Sequence, residues 1–178
     1  IKGEIMSKFN RLLDAKFTPP KTWTLDSSLV FDSDKLSEDD RAALKAVGAT
    51  INRAGKITAK KGFKTDLASV PRIAWVVIAP FDVARAAVIH DALYSAIRQN
   101  RIKNGYPIGS DGKDETVESK QSAKQAKLVA DKVFLEAMLE ADVPTANWKA
   151  YPAYWSVRLF GRWSVIPRED DKQQPKSK

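Results

Sequence analysis

Apolar residues return at helical spacing over two long stretches of the chain and alternate with polar ones over several short stretches. Between residues 82 and 99, Val83, Ala86, Ala87, His90, Tyr94 and Ile97 recur every third or fourth position, which places them on one face of a helix. A second helix is predicted over 117–141, with Ala126, Val129, Ala130, Val133, Phe134, Ala137, Met138 and Ala141 as its apolar face and Pro144 as its stop. LSEDDRAALKAVG predicts a shorter surface helix. Ser37 can cap it, Glu38, Asp39 and Asp40 suit the positive first turn, and Gly48 can close it.

The extended pieces lie earlier. WTL and SLVF sit between polar breaks, and Pro19 and Pro20 in FTPP block a helix there. ATINRAGKITAKKGFKTDL alternates on both sides of Ala54 and Gly55, which predicts a hairpin whose second strand runs into Phe63 and Thr65. In ASVPR the chain turns, because Pro71 disfavours helical geometry at Val70. The fold class is therefore α+β: a small antiparallel sheet from about residue 20 to 67, packed against two main helices and a C-terminal aromatic segment. Residues 1–16 read as an N-terminal extension, 17–166 as a single domain, and 167–178 as a flexible polar tail. RIKNGYPIGSDGKDETVE, over 101–118, reads as a polar loop.

Composition narrows the choices. A chain of 178 residues that is 43% hydrophobic can bury a core without staples, and with no cysteine it has neither disulfides nor a thiolate metal site. The net charge of +8 favours polyanionic neighbours, but the basic residues are spread along the chain, so nucleic acid rests on charge alone. No apolar run has the length of a signal peptide or a transmembrane segment; the longest uncharged one is IAWVVIAPF. Residues 1–5 precede Met6, which heads MSKFNRLL, and are set aside from fold reasoning.

The chemistry gathers around the single histidine. His90 and Tyr94 lie four apart on the inward helix face, and a carboxylate from the antiparallel second helix, Asp131, can meet both. Such a carboxylate fixes the imidazole tautomer and leaves the other nitrogen free to accept a proton. Asp91, about 100° round the helix by the 3.6-residue period, can hold a hard cation such as Ca²⁺ or act as an acid. Asp66 and Ser69, in TDLASVP, can bring a further carboxylate and a hydroxyl to His90 from a neighbouring turn. The plainer alternatives are a core histidine bonded to Asp131, turn chemistry at Asp66 and Ser69, and a solvated helix residue at Asp91.

Taken together, GFKTDLASVPR (Gly62 to Arg72), HDALY (His90 to Tyr94), ADKVF (Ala130 to Phe134) and RLFG (Arg158 to Gly161) resemble a family of phage and prophage proteins whose domain has no assigned function. The resemblance covers about residues 50–165 and implies a host-cytoplasmic or virion location, with phage structural proteins, a host factor or a cell-envelope substrate as partner. The HD-x-x-Y helix with a second-helix aspartate is also similar to that of phospholipase A2 enzymes. That likeness implies His90 as base, Asp91 as calcium ligand, Asp131 as the residue orienting the base, and Tyr94 as its support. The glycine-rich calcium loop of those enzymes has no counterpart in PRIAWVVIAPFDVARAAV.

Two functions stay in play. The leading expectation is a noncatalytic binding or structural protein in which His90, Asp131 and Tyr94 hold helices together. The alternative is a hydrolase of an ester, amide or cell-wall bond with His90 as general base. For Trp148, Trp155 and Trp163, interleaved with Lys149, Arg158 and Arg162, the expectation is a closing segment that packs Trp155, Leu159 and Trp163 on the core; a membrane-surface helix or a protein interface are the alternatives.

Overall fold

The computed structural model describes residues 8–66, 83–106, 108, 115–141, 144–167 and 171. The strands come first: β1 (Ala15–Thr18), β2 (Thr22–Leu25), β3 (Leu29–Asp32), β4 (Lys56–Ala59) and β5 (Lys64–Thr65). Helix α1 (Glu38–Ala46) interrupts them, and α2 (Ala84–Lys103), α3 (Val117–Leu139) and α4 (Asn147–Phe160) follow. All strand pairing is antiparallel and small, in two sheets ordered β1-β2-β5 and β3-β4. This is the α+β class that the patterning predicts.

Local chemistry explains the elements. Ser37 and Asp40 form a reciprocal capping box at α1, so two otherwise unpaired backbone amides are satisfied at once. Thr116 caps α3 by accepting from the Ser119 amide at 3.2 Å. Leu29 and Phe31 point inward from β3 while Val30 and Asp32 are half-buried, the alternation of a strand with one covered face. At Asn52 the side-chain Oδ1 accepts from the amides of Ala54 and Lys56, both at 2.9 Å, and Gly55 sits at φ 89. That is the turn expected at Ala54 and Gly55. Its second arm, however, makes its ladder with β3 and only an isolated bridge with Ile51. The chain then turns at Gly62, and Lys64 and Thr65 join the other sheet against β2. The single long second strand expected through Thr65 is therefore two strands in two sheets.

The core lies between the sheets and the helices. Phe9, in the stretch 1–16 read as an N-terminal extension, is buried and bridges Phe31 with ring centroids 5.0 Å apart. Ala86, Ala87, Leu93 and Ile97 of α2 and Ala123, Ala126, Ala130, Val133 and Ala137 of α3 belong to one buried cluster where the two helices pack, and the alanines among them allow a close approach. α2 runs four residues past the expected Gln99, and its last turns grip the C-terminal part of the chain. Arg101 makes a two-pronged pair with Glu115 (2.8 and 2.7 Å) and donates to the Val165 carbonyl, while Arg98 pairs with Asp171 at 2.7 Å. Asp171 is buried. It belongs to the stretch read from composition as a flexible tail.

Candidate functional site

Helix periodicity delivers His90 and Tyr94 from α2 to a point opposite Asp131 on α3. His90 Nε2 lies 3.1 Å from Asp131 Oδ1, and the Tyr94 hydroxyl donates to the same oxygen at 2.7 Å. The other carboxylate oxygen accepts from Lys127 Nζ at 2.8 Å and from the Arg158 guanidinium of α4 at 3.2 Å. Lys127 also donates to the Val157 carbonyl at 3.2 Å. One carboxylate thus collects four donors from three helices. The His90 ring packs on Tyr94 and Phe134, with centroids 4.0 and 4.9 Å away.

Burial decides the charge states. Desolvation holds His90 below its ordinary value despite the neighbouring Asp131, so the imidazole is neutral. Burial opposes ionisation of Asp131 as well, but hydrogen bonds from His90, Lys127 and Tyr94 outweigh it and keep the carboxyl below its usual range. Tyr94 is pushed far upward by burial and by the Asp131 charge, and it stays a donor. With Nε2 donating, the lone pair falls on Nδ1, and that atom has no hydrogen-bond partner among the described residues.

Gly161, which ends RLFG, shows why that motif needs a glycine. A methyl group there would collide with the Val157 carbonyl and the Tyr94 hydroxyl, so α4 closes directly over the cluster.

The remaining expected site residues are distributed differently. Asp91 is buried, and its carboxylate accepts a hydrogen bond from the Thr65 hydroxyl. The TD motif thus reaches the HD motif, but through Thr65 at the end of β5, to the aspartate rather than to the histidine. Asp66 is half-buried just beyond β5. Ser69 lies outside the described residues. Calcium prefers six to eight oxygen ligands, roughly; among the described residues no group of three or more acidic or histidine side chains is placed to hold a metal.

Three participants escaped the sequence reading. Lys127 had a signal, since it stands one helical turn before Asp131 on the same face. Arg158 lay in plain view in RLFG, and Thr65 stood beside the aspartate that attracted attention.

A second feature lies on the far side of α4. Ala150, Ala153 and Val157 are its buried side chains, together with Ser156. Trp148 (65% exposed), Tyr151 (46%), Trp155 (57%) and Leu159 (63%) face outward, followed by Phe160 and Trp163. Trp155, Leu159 and Trp163 therefore do not pack on the core as expected: the small apolar residues of α4 fill the inner face and the large ones face water. Each large apolar side chain left exposed forgoes about 1.5–3 kcal/mol of burial.

An α+β domain with a sealed His–Asp–Tyr cluster between its helices is the class these features define. The chain belongs to the family described as Protein of unknown function (DUF1353), whose model matches residues 45–157. The match contains Thr65, His90, Asp91, Tyr94, Lys127 and Asp131, and it ends one residue before Arg158. No curated protein and no solved structure matches the chain.

Proposed function

We propose that this chain is a noncatalytic, phage-encoded accessory or virion-associated protein, in which the cluster centred on Asp131 fastens α2, α3 and α4 and the outer face of α4 docks on a partner. One observation carries the noncatalytic half: His90, Tyr94 and Asp131 are each 0% exposed. A general base must come within hydrogen-bond reach of the proton it takes, directly or through one water, and a sealed ring offers no such approach. The binding half is supported by the exposed aromatic face, since contiguous apolar surface of this kind marks interaction sites. The phage assignment rests on the resemblance of the four motifs.

A second reading, a phage hydrolase, is favoured by the unbonded Nδ1 of His90. There Nδ1 is the base, Asp131 holds the tautomer, Tyr94 supports the pair, Asp91 is an acid, and Asp66 and Ser69 supply further polar groups. This reading requires an opening that uncovers the ring. Ester, amide and peptidoglycan substrates offered to wild type and to His90→Gln separate the two: the noncatalytic protein turns over none of them. Turnover by wild type that vanishes in a fully folded His90→Gln variant would establish the hydrolase instead.

A further inference from the structure

We infer that the outer face of α4 is an interfacial docking surface for an anionic phospholipid bilayer; the inference rests on the noncatalytic binding reading and names the partner of that face. Trp148, Tyr151, Trp155 and Leu159 follow each other at intervals of three and four residues, so they form one stripe, about 16 Å long at 1.5 Å per residue. Phe160 at the helix end and Trp163 just beyond it prolong the stripe, their rings stacked 6.4 Å apart at 21°.

Charge decides the occupant. From residue 144 to 167 there is no aspartate or glutamate, while Lys149, Arg158 and Arg162 are all present. Arg158 is committed inward to Asp131. The other two sit on the faces of the terminal indoles, Lys149 Nζ 5.3 Å from the Trp148 ring and the Arg162 guanidinium 4.1 Å from the Trp163 ring. Aromatic rings with cations held over their faces match the boundary between headgroups and acyl chains, where Trp and Tyr partition and Lys and Arg meet lipid phosphates.

A neighbouring cleft adds to the match. A space of about 670 Å³ at the Trp148 end is lined by Phe9, Leu12, Leu13 and Trp23, with Arg85 and Lys149 also in its wall. Leu12 is 77% exposed. An apolar trough with cationic side chains in its wall suits a chain of methylene groups with an acidic head. No described helix is long and apolar enough to cross a membrane, so the contact is one of lying on the surface.

Flotation with vesicles of phosphatidylcholine alone and of phosphatidylcholine with phosphatidylglycerol tests this, read together with tryptophan emission. The full chain is expected to float with the anionic vesicles, with a blue shift, and to be released by salt. Trp155→Ser combined with Leu159→Ser should weaken partitioning by about tenfold or more at an unchanged melting temperature. Lys149→Glu with Arg162→Glu should abolish the preference for anionic vesicles. No flotation with either vesicle overturns the inference, as does concentration-dependent self-association that the same substitutions remove without any vesicle binding. Fatty acid released by wild type but not by His90→Gln, with flotation intact in both, would overturn the noncatalytic reading and leave the docking surface standing.

Discussion

On its inner side α4 gives Ala150, Ala153 and Val157 to the core and Arg158 to a buried carboxylate, whereas on its outer side it holds Trp148, Tyr151, Trp155 and Leu159 in water. Charge lies inside and aromatic surface outside, the reverse of what burial energetics alone would select. The inner arrangement persists because every oxygen of Asp131 is matched by donors; removing one partner from such a cluster costs far more than the assembled cluster contributes. The outer arrangement leaves much of its apolar surface in water, and that is the surface assigned above to docking, while the inner cluster is assigned to holding the chain together.

Substitutions can sharpen or break that contrast. The largest effect is expected for Asp131→Ala, which leaves Lys127, Arg158, Tyr94 and His90 without their common acceptor. A loss of about 3–5 kcal/mol in urea unfolding is predicted. Asp131→Asn should lose less, and a wild-type-like midpoint for both variants would remove the cluster from the list of stabilising features. Next comes Gly161→Ala, whose methyl meets the Val157 carbonyl and Tyr94 hydroxyl; about 1–3 kcal/mol is expected in the same measurement.

The pH dependence is subtler. Because burial holds His90 below its ordinary value of 6.5, the unfolded chain takes up the proton first as pH falls. The contribution of the neutral ring is thus complete above that value and is lost as pH drops towards the folded one. Glu136, raised chiefly by burial near Ser33, contributes with the opposite sign at the acidic end, so its stabilisation fades as pH rises. Melting curves of wild type and His90→Gln between neutral and mildly acidic pH should therefore converge on acidification. A gap that widens on acidification would mean that the ring is protonated in the fold. The smallest effect belongs to the outer face: Trp155→Ser should change stability by no more than about 0.5 kcal/mol, as for other exposed positions. A large loss there would erase the distinction between the two sides of the helix.

How far the sequence foretold this varies with the range of the interactions. The periods of α2 and α3 were legible from their apolar stripes, although burial extends well beyond those stripes, with Ala86 to Asp91 all buried, and the meeting of His90 and Tyr94 with Asp131 followed from the two stripes facing each other. α4 was illegible as a helix with two distinct sides, since Pro152 in its interior argues against a helix and apolar residues occur all round it. The partner of β4 was missed because β3 lies across α1, a pairing that local alternation cannot specify. Lys127 and Arg158 were not placed at the site, because such residues are ordinarily solvated; only the fold reveals that a carboxylate lies beneath them.

The hydrogen bond from the Ser33 hydroxyl to Glu136, 2.6 Å long and joining residues 103 apart, carries a consequence for the order of assembly. Ser33 is 1% exposed, and its acceptor is supplied by α3. While the chain is being synthesised, the β3-β4 ribbon must wait for most of the polypeptide to emerge before this hydroxyl finds its acceptor. Closure at such separation is entropically slow. The Ser33 contact thus forms only once α3 has been made.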